Sequence, residues 1–93
     1  MNPKLKYTKE YCENHSKHVV QDNGGAIMVG AAVLPKDSIL NVGLIGSTNV
    51  RVALKVSEGG YNINIECDTV EQQLVYFYFI YHALNKKEDE ETN

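Results

Sequence analysis

Two stretches of strict alternation constrain this chain more than anything else in it. Val50, Val52, Leu54 and Val56 alternate with Asn49, Arg51, Ala53, Lys55 and Ser57, and Tyr61, Ile63, Ile65 and Cys67 alternate with Asn62, Asn64 and Glu66. A period of two sends every second side chain to the same face, so both stretches read as half-buried β-strands. Ser57-Glu58-Gly59-Gly60 lies between them, and its adjacent glycines suit a tight hairpin that needs positive φ. An antiparallel pair thus anchors the fold, and the rest of the chain must cover its apolar side.

Upstream, residues 26–34 are apolar at both parities, with Ile27, Val29 and Val33 on one and Met28, Ala32 and Leu34 on the other. A strand of that kind expects cover on both faces. Pro35-Lys36-Asp37-Ser38 reads as a turn with proline fixing φ at its start, residues 39–45 as a further strand, and Gly46-Ser47-Thr48-Asn49 as the next turn.

Downstream, Asp68-Thr69-Val70-Glu71 has the form of a capping box: the Asp68 carboxylate accepts from the amide three residues on, and Glu71 reaches back to the Asp68 amide. Residues 74–81 are rich in β-formers, yet the cap, the preceding Glu-Gln-Gln and the following Ala-Leu-Asn-Lys-Lys favour a helix. Val70, Leu74, Phe77, Tyr78, Tyr81 and Leu84 form a stripe at helical spacing that would lie on the sheet. The expected fold is α+β: a four-stranded antiparallel meander packed by a C-terminal α-helix, with a short N-terminal helix capped by Thr8.

With 93 residues the chain fits a single domain, taken as residues 1–87 followed by a flexible acidic tail at 88–93. The net charge is −3, but four of the twelve acids lie in that tail, so the body carries nine basic and eight acidic side chains. The basic residues are scattered, which argues against duplex nucleic acid as a partner. The longest apolar run, residues 74–81, is far short of the roughly 20 residues needed to cross a bilayer. Cys12 and Cys67 are read as reduced thiols of a cytoplasmic protein, although a single disulfide would suit an oxidising compartment.

Candidate chemistry is sparse. Cys12, His15 and His18 have metal-ligand character at three-residue spacing, but the outer two diverge by about 120° on a helix and no fourth ligand is evident, so no metal or other cofactor is expected. Neither cysteine can be placed beside a histidine, and phosphate-loop and nucleophile-elbow patterns are absent, so the chain is expected not to be an enzyme. Gly43-Leu44-Ile45-Gly46 has a G-x-x-G spacing, better explained as a strand end and turn.

Two surfaces remain. With the stripe on the sheet, Val75, Tyr76, Phe79 and Ile80 point elsewhere, leaving more apolar helix surface than a short chain can cover and implying a homo-oligomer interface there. On the wet face of the hairpin, Arg51 stands among Ser47, Thr48, Asn49, Asn62 and Asn64, with Tyr61 nearby, a set suited to a partner's carboxylate or a small anionic ligand. The sequence therefore points to a non-catalytic binding or inhibitor protein acting on itself and another protein, similar in size and composition to accessory proteins of viruses and mobile elements; a small-molecule or nucleotide binder with an intersubunit pocket is the alternative, and a small enzyme comes third.

Overall fold

The computed structural model describes residues 6–16, 19–56 and 59–84; the side chains of Val56 and Tyr61, His18, residues 57–58 and the tail at 88–93 lie outside the described set. The fold is α+β, as expected: antiparallel strands with a C-terminal helix packed on them. In chain order these are α1 (Lys9–His15), β1 (Val20–Asp22), β2 (Ala26–Val29), β3 (Ala32–Pro35), a single 3₁₀ turn (Lys36–Ser38), β4 (Ile39–Ile45), β5 (Asn49–Val56), β6 (Gly59–Glu66) and α2 (Val70–Leu84). No helix among the described residues is long and apolar enough to cross a membrane.

The strand layout corrects the expected four-stranded meander. The strands form two three-stranded antiparallel sheets, ordered β1-β2-β3 and β4-β5-β6. Residues 26–34 do not make one long strand, because Gly30 takes φ +59° and folds the segment into a hairpin that pairs Ile27 with Leu34. Both residues are buried. An apolar run on both parities is thus explained by a reversal of direction, not by two covered faces.

The second sheet follows the alternation. Val50 pairs with Ile65, Val52 with Ile63 and Leu54 with Tyr61, which keeps the apolar parity of both strands on one side. Val56 opposes Gly59, so the two glycines open β6 instead of forming the turn itself. Gly60 has a packing reason to lack a side chain, since a Cβ there would meet the Leu54 carbonyl oxygen at 3.0 Å.

Thr8 caps α1 as expected, its side chain accepting from the Tyr11 amide. At α2 the cap sits one residue later than the sequence pattern suggests. Thr69 Oγ1 accepts from the Gln72 amide at 3.1 Å, and Gln72 Oε1 accepts from the Asp68 amide at 2.8 Å. That register releases Glu71 from capping duty.

The larger correction concerns which side of α2 is inside. Val75, Tyr76, Phe79 and Ile80, expected to face outward as an oligomer interface, are 2%, 2%, 6% and 0% exposed and form the core with Val50, Val52, Leu54 and Ile65. The expected sheet-facing stripe is the outer side: Val70 is exposed, and Leu74, Phe77, Tyr78, Tyr81 and Leu84 are half-buried. Both sides are apolar, so hydrophobicity could not set the phase of the helix. Hydrogen bonding does, because Gln73 is 3% exposed and its amide is held inside by two backbone carbonyls.

Candidate interaction surface

Three contacts orient α2 and thereby define the surface it presents. Gln73 Nε2 donates to the Gly46 and Asn49 carbonyl oxygens at 3.1 and 2.9 Å, tying the first turn of the helix to the β4–β5 turn. The Cys67 amide donates to the Thr48 carbonyl oxygen at 2.7 Å, fixing the chain just before the helix to the same turn. On the other flank, the Glu71 carboxylate accepts from the Tyr7 hydroxyl at 2.7 Å and the Tyr11 hydroxyl at 2.5 Å, and pairs with Lys6 at 3.1 Å.

This clamp perturbs every member. Donation by Tyr11, then Tyr7, then Lys6 favours the ionised carboxylate and lowers Glu71 to about 2. Tyr11 is raised chiefly by its bond to Glu71, and Tyr7 chiefly by burial and then by that bond. Tyr7 also stacks on Tyr78 with centroids 5.5 Å apart, and His82 Nε2 donates to the Tyr7 carbonyl oxygen at 2.8 Å. The N-terminal segment and α1 therefore cover one side of α2, and among the described residues its side toward β4 is left open.

That open side lies along β4. Gln73 sits at the end of β4, while Tyr81 and Leu84 share a groove with Ile39, Leu40, Asn41, Val42 and Lys36, so α2 runs antiparallel to the strand. The groove encloses about 430 Å³. Its one charged member among the described residues, Lys36, makes an ion pair with Asp22 at 2.8 Å, with side-chain exposures of 14% and 18%, which leaves the walls effectively neutral.

β4 is an edge strand of its sheet, and no charged side chain occurs from Ile39 to Ile45. Leu40, Leu44 and Ile45 are 61%, 44% and 38% exposed. A register shift between Ile39 and Asn41 places Leu40 in a bulge, which accounts for its outward direction. The sequence contains part of this signal, seven uncharged residues in a row, but strand order decides whether such a strand is central or at an edge.

Of the residues singled out on the hairpin, Asn49, Arg51, Asn62 and Asn64 lie on the opposite side of this sheet, and Tyr61 is at the parity of Leu54. Arg51 and Asn64 are cross-strand partners, and Arg51 Nε donates to Asn64 Oδ1 at 3.5 Å. Asn62 is exposed opposite Ala53, and Asn49 Nδ2 donates to Thr48 Oγ1 at 3.4 Å. Ser47 and Thr48 are exposed in the turn, whose carbonyls are occupied by Gln73 and Cys67. The backbone of Tyr61 pairs with Leu54; its side chain is outside the described set.

The Cys12 and His15 side chains are kept apart. Cys12 is fully buried and burial pushes its thiol up to about 12, whereas His15 is exposed, stacks on Tyr11 and bonds through Nδ1 to the Tyr11 carbonyl oxygen at 2.7 Å. Both cysteines are free, and Cys67 is likewise raised by burial. Among the described residues no three His, Cys, Asp or Glu side chains cluster as a metal site would require. Comparison with protein-family models, curated proteins and solved structures gives no match for this chain.

Proposed function

We propose that this protein is a non-catalytic binding protein that acts by protein–protein contact through the open side of α2 and the edge of β4. The observation that carries the reading is the exposure of apolar side chains on two neighbouring elements, Val70 on α2 at 52% and Leu40 and Leu44 on the uncharged β4 at 61% and 44%. Apolar surface concentrated on one face is characteristic of interaction sites, whereas scattered apolar residues are not. The half-buried Tyr81 adds a large ring with a polar tip, a residue type enriched where proteins meet. The Arg51 and Asn64 pair stands as a polar surface on the far side of the sheet, available to a second partner.

Selection from a displayed peptide library tests the reading directly, since the library itself supplies the candidate partners. Extended or amphipathic apolar sequences should emerge, and Leu44→Lys should weaken their binding at least tenfold. Selected binders indifferent to Leu44→Lys would refute the assignment of this face.

A second reading draws on the groove between β4 and α2, whose volume suits a small ligand, with side chains of Ile39, Leu40, Val42 and Leu84 and the Tyr81 ring along its walls. Because Asp22 neutralises Lys36, the ligand class it favours is uncharged, with both polar and apolar parts, unlike the anion the hairpin residues would take. A thermal-shift screen in which only uncharged compounds raise the melting temperature supports it.

A further inference from the structure

We infer that the partner of β4 is β4 of a second copy of this chain, paired antiparallel about Gly43 to make one six-stranded sheet. This rests on the reading of the α2 and β4 face as a binding surface, and it names the occupant. Edge strands of natural monomers are usually blunted by lysine, proline or a charge facing inward. From Asn41 to Ile45, β4 has none of these, and its ladder to β5 is regular over those five residues.

The pattern of side chains restricts the register. Val42 and Leu44 oppose the buried Val52 and Val50, so they lie on the side of the sheet that carries α2, while Asn41, Gly43 and Ile45 lie on the other. Pairing must match like sides, since a slip of one residue would turn the second copy over and put its α2 on the opposite side of the joined sheet. Of the matching registers, the one centred on Gly43 pairs all of the regular segment: Val42 with Leu44, Asn41 with Ile45, and Gly43 with itself. Gly43 is in ordinary strand conformation, and a Cβ on it would meet nothing within 4 Å.

The helices then fit without rearrangement. α2 packs over β4 and β5, and strands lie about 4.8 Å apart, so joining the two β4 strands puts the two α2 axes roughly 10 Å from each other. That is the distance at which helices pack on one another. The side chains brought together are Phe77, Tyr81 and Leu84 of each copy, beside the groove. None of these three carries a charge, so the symmetric contact brings no like charges together. With α2 about 22 Å long, a helix and a strand edge from each copy supply a contact at the low end of the range for specific dimers.

Light scattering across about 1–100 µM and cysteine cross-linking test this on the full chain. The expected mass is twice the 10.4 kDa of one chain. Gly43→Cys should form an intermolecular disulfide on mild oxidation, because antiparallel partners have Cα atoms within disulfide range. Lys55→Cys on β5 should not, and native Cys12 and Cys67, being buried, should stay silent. Leu44→Lys should raise the dimer dissociation constant at least tenfold with an unchanged circular dichroism spectrum. A monomer at every concentration, with no Gly43→Cys disulfide, overturns the dimer while peptide selection still judges the face. A dimer that resists Leu44→Lys, or that cross-links at Lys55→Cys but not at Gly43→Cys, overturns the pairing.

Discussion

Glu71 and Tyr11 meet across 60 residues of sequence at 2.5 Å, hydroxyl to carboxylate, and with Tyr7 they fasten the N-terminal segment to the last helix. The carboxylate is half exposed, so its contribution is screened and is on the order of 1 kcal/mol. The depressed ionisation of Glu71 makes that contribution fully present above its ordinary value of 4.5 and lost as pH falls toward about 2. Urea midpoints measured from pH 6 to pH 2 should drop for the wild type in that window, and Glu71→Gln should flatten that part of the profile.

Gln73 is a test of what sets the phase of α2. Gln73→Leu keeps the size and removes both donors, leaving the Gly46 and Asn49 carbonyls without their partner. A loss of about 1–3 kcal/mol is expected, read as a melting temperature lower by several degrees. Stability equal to that of the wild type would show the helix to be held by packing alone.

Opposite sides of α2 and its neighbouring strand should respond in opposite ways to substitution. Ile80 is fully buried and Leu40 is 61% exposed. Ile80→Ala should cost about 2–5 kcal/mol in denaturant unfolding, whereas Leu40→Lys should change stability by less than about 0.5 kcal/mol. The reverse ranking would restore the helix orientation expected from the sequence.

Two glycines separate close approach from mere convenience. Gly60→Ala forces a methyl against the Leu54 carbonyl at 3.0 Å and should destabilise by about 1–3 kcal/mol. Gly43→Ala meets open space and should leave the monomer's melting temperature within about a degree or two of the wild type.

The fold class, the β5–β6 hairpin, the β4 strand and the helix that follows are all legible in the sequence, because each rests on a local pattern with one strong period, although the hairpin turn is two residues tighter than the paired glycines suggest. The division into two sheets is not, since an apolar run such as residues 26–34 fits one buried strand or a hairpin equally well until the conformation of Gly30 is known. The cap at α2 is legible in kind but one position off, because Asp68 and Thr69 both qualify at that site and Gln72 competes with Glu71 for the return bond. For the binding face the difficulty is deeper. Val75, Tyr76, Phe79 and Ile80 are as apolar as Leu74, Phe77, Tyr78 and Tyr81, and the buried amide of Gln73 and the Tyr7 and Tyr11 clamp on Glu71 are what distinguish inside from outside. Those contacts link residues dozens of positions apart, beyond the reach of any window along the chain.

The same clamp has a consequence for biosynthesis. The Tyr7 and Tyr11 hydroxyls find their acceptor at Glu71, and the Tyr7 carbonyl its donor at His82, so this docking of α1 waits until residues 70–84 have left the ribosome. Folding that closes through such distant contacts is slow compared with helix formation. Until then the sheets expose their apolar side, and the interval in which the nascent chain needs protection ends with the arrival of α2.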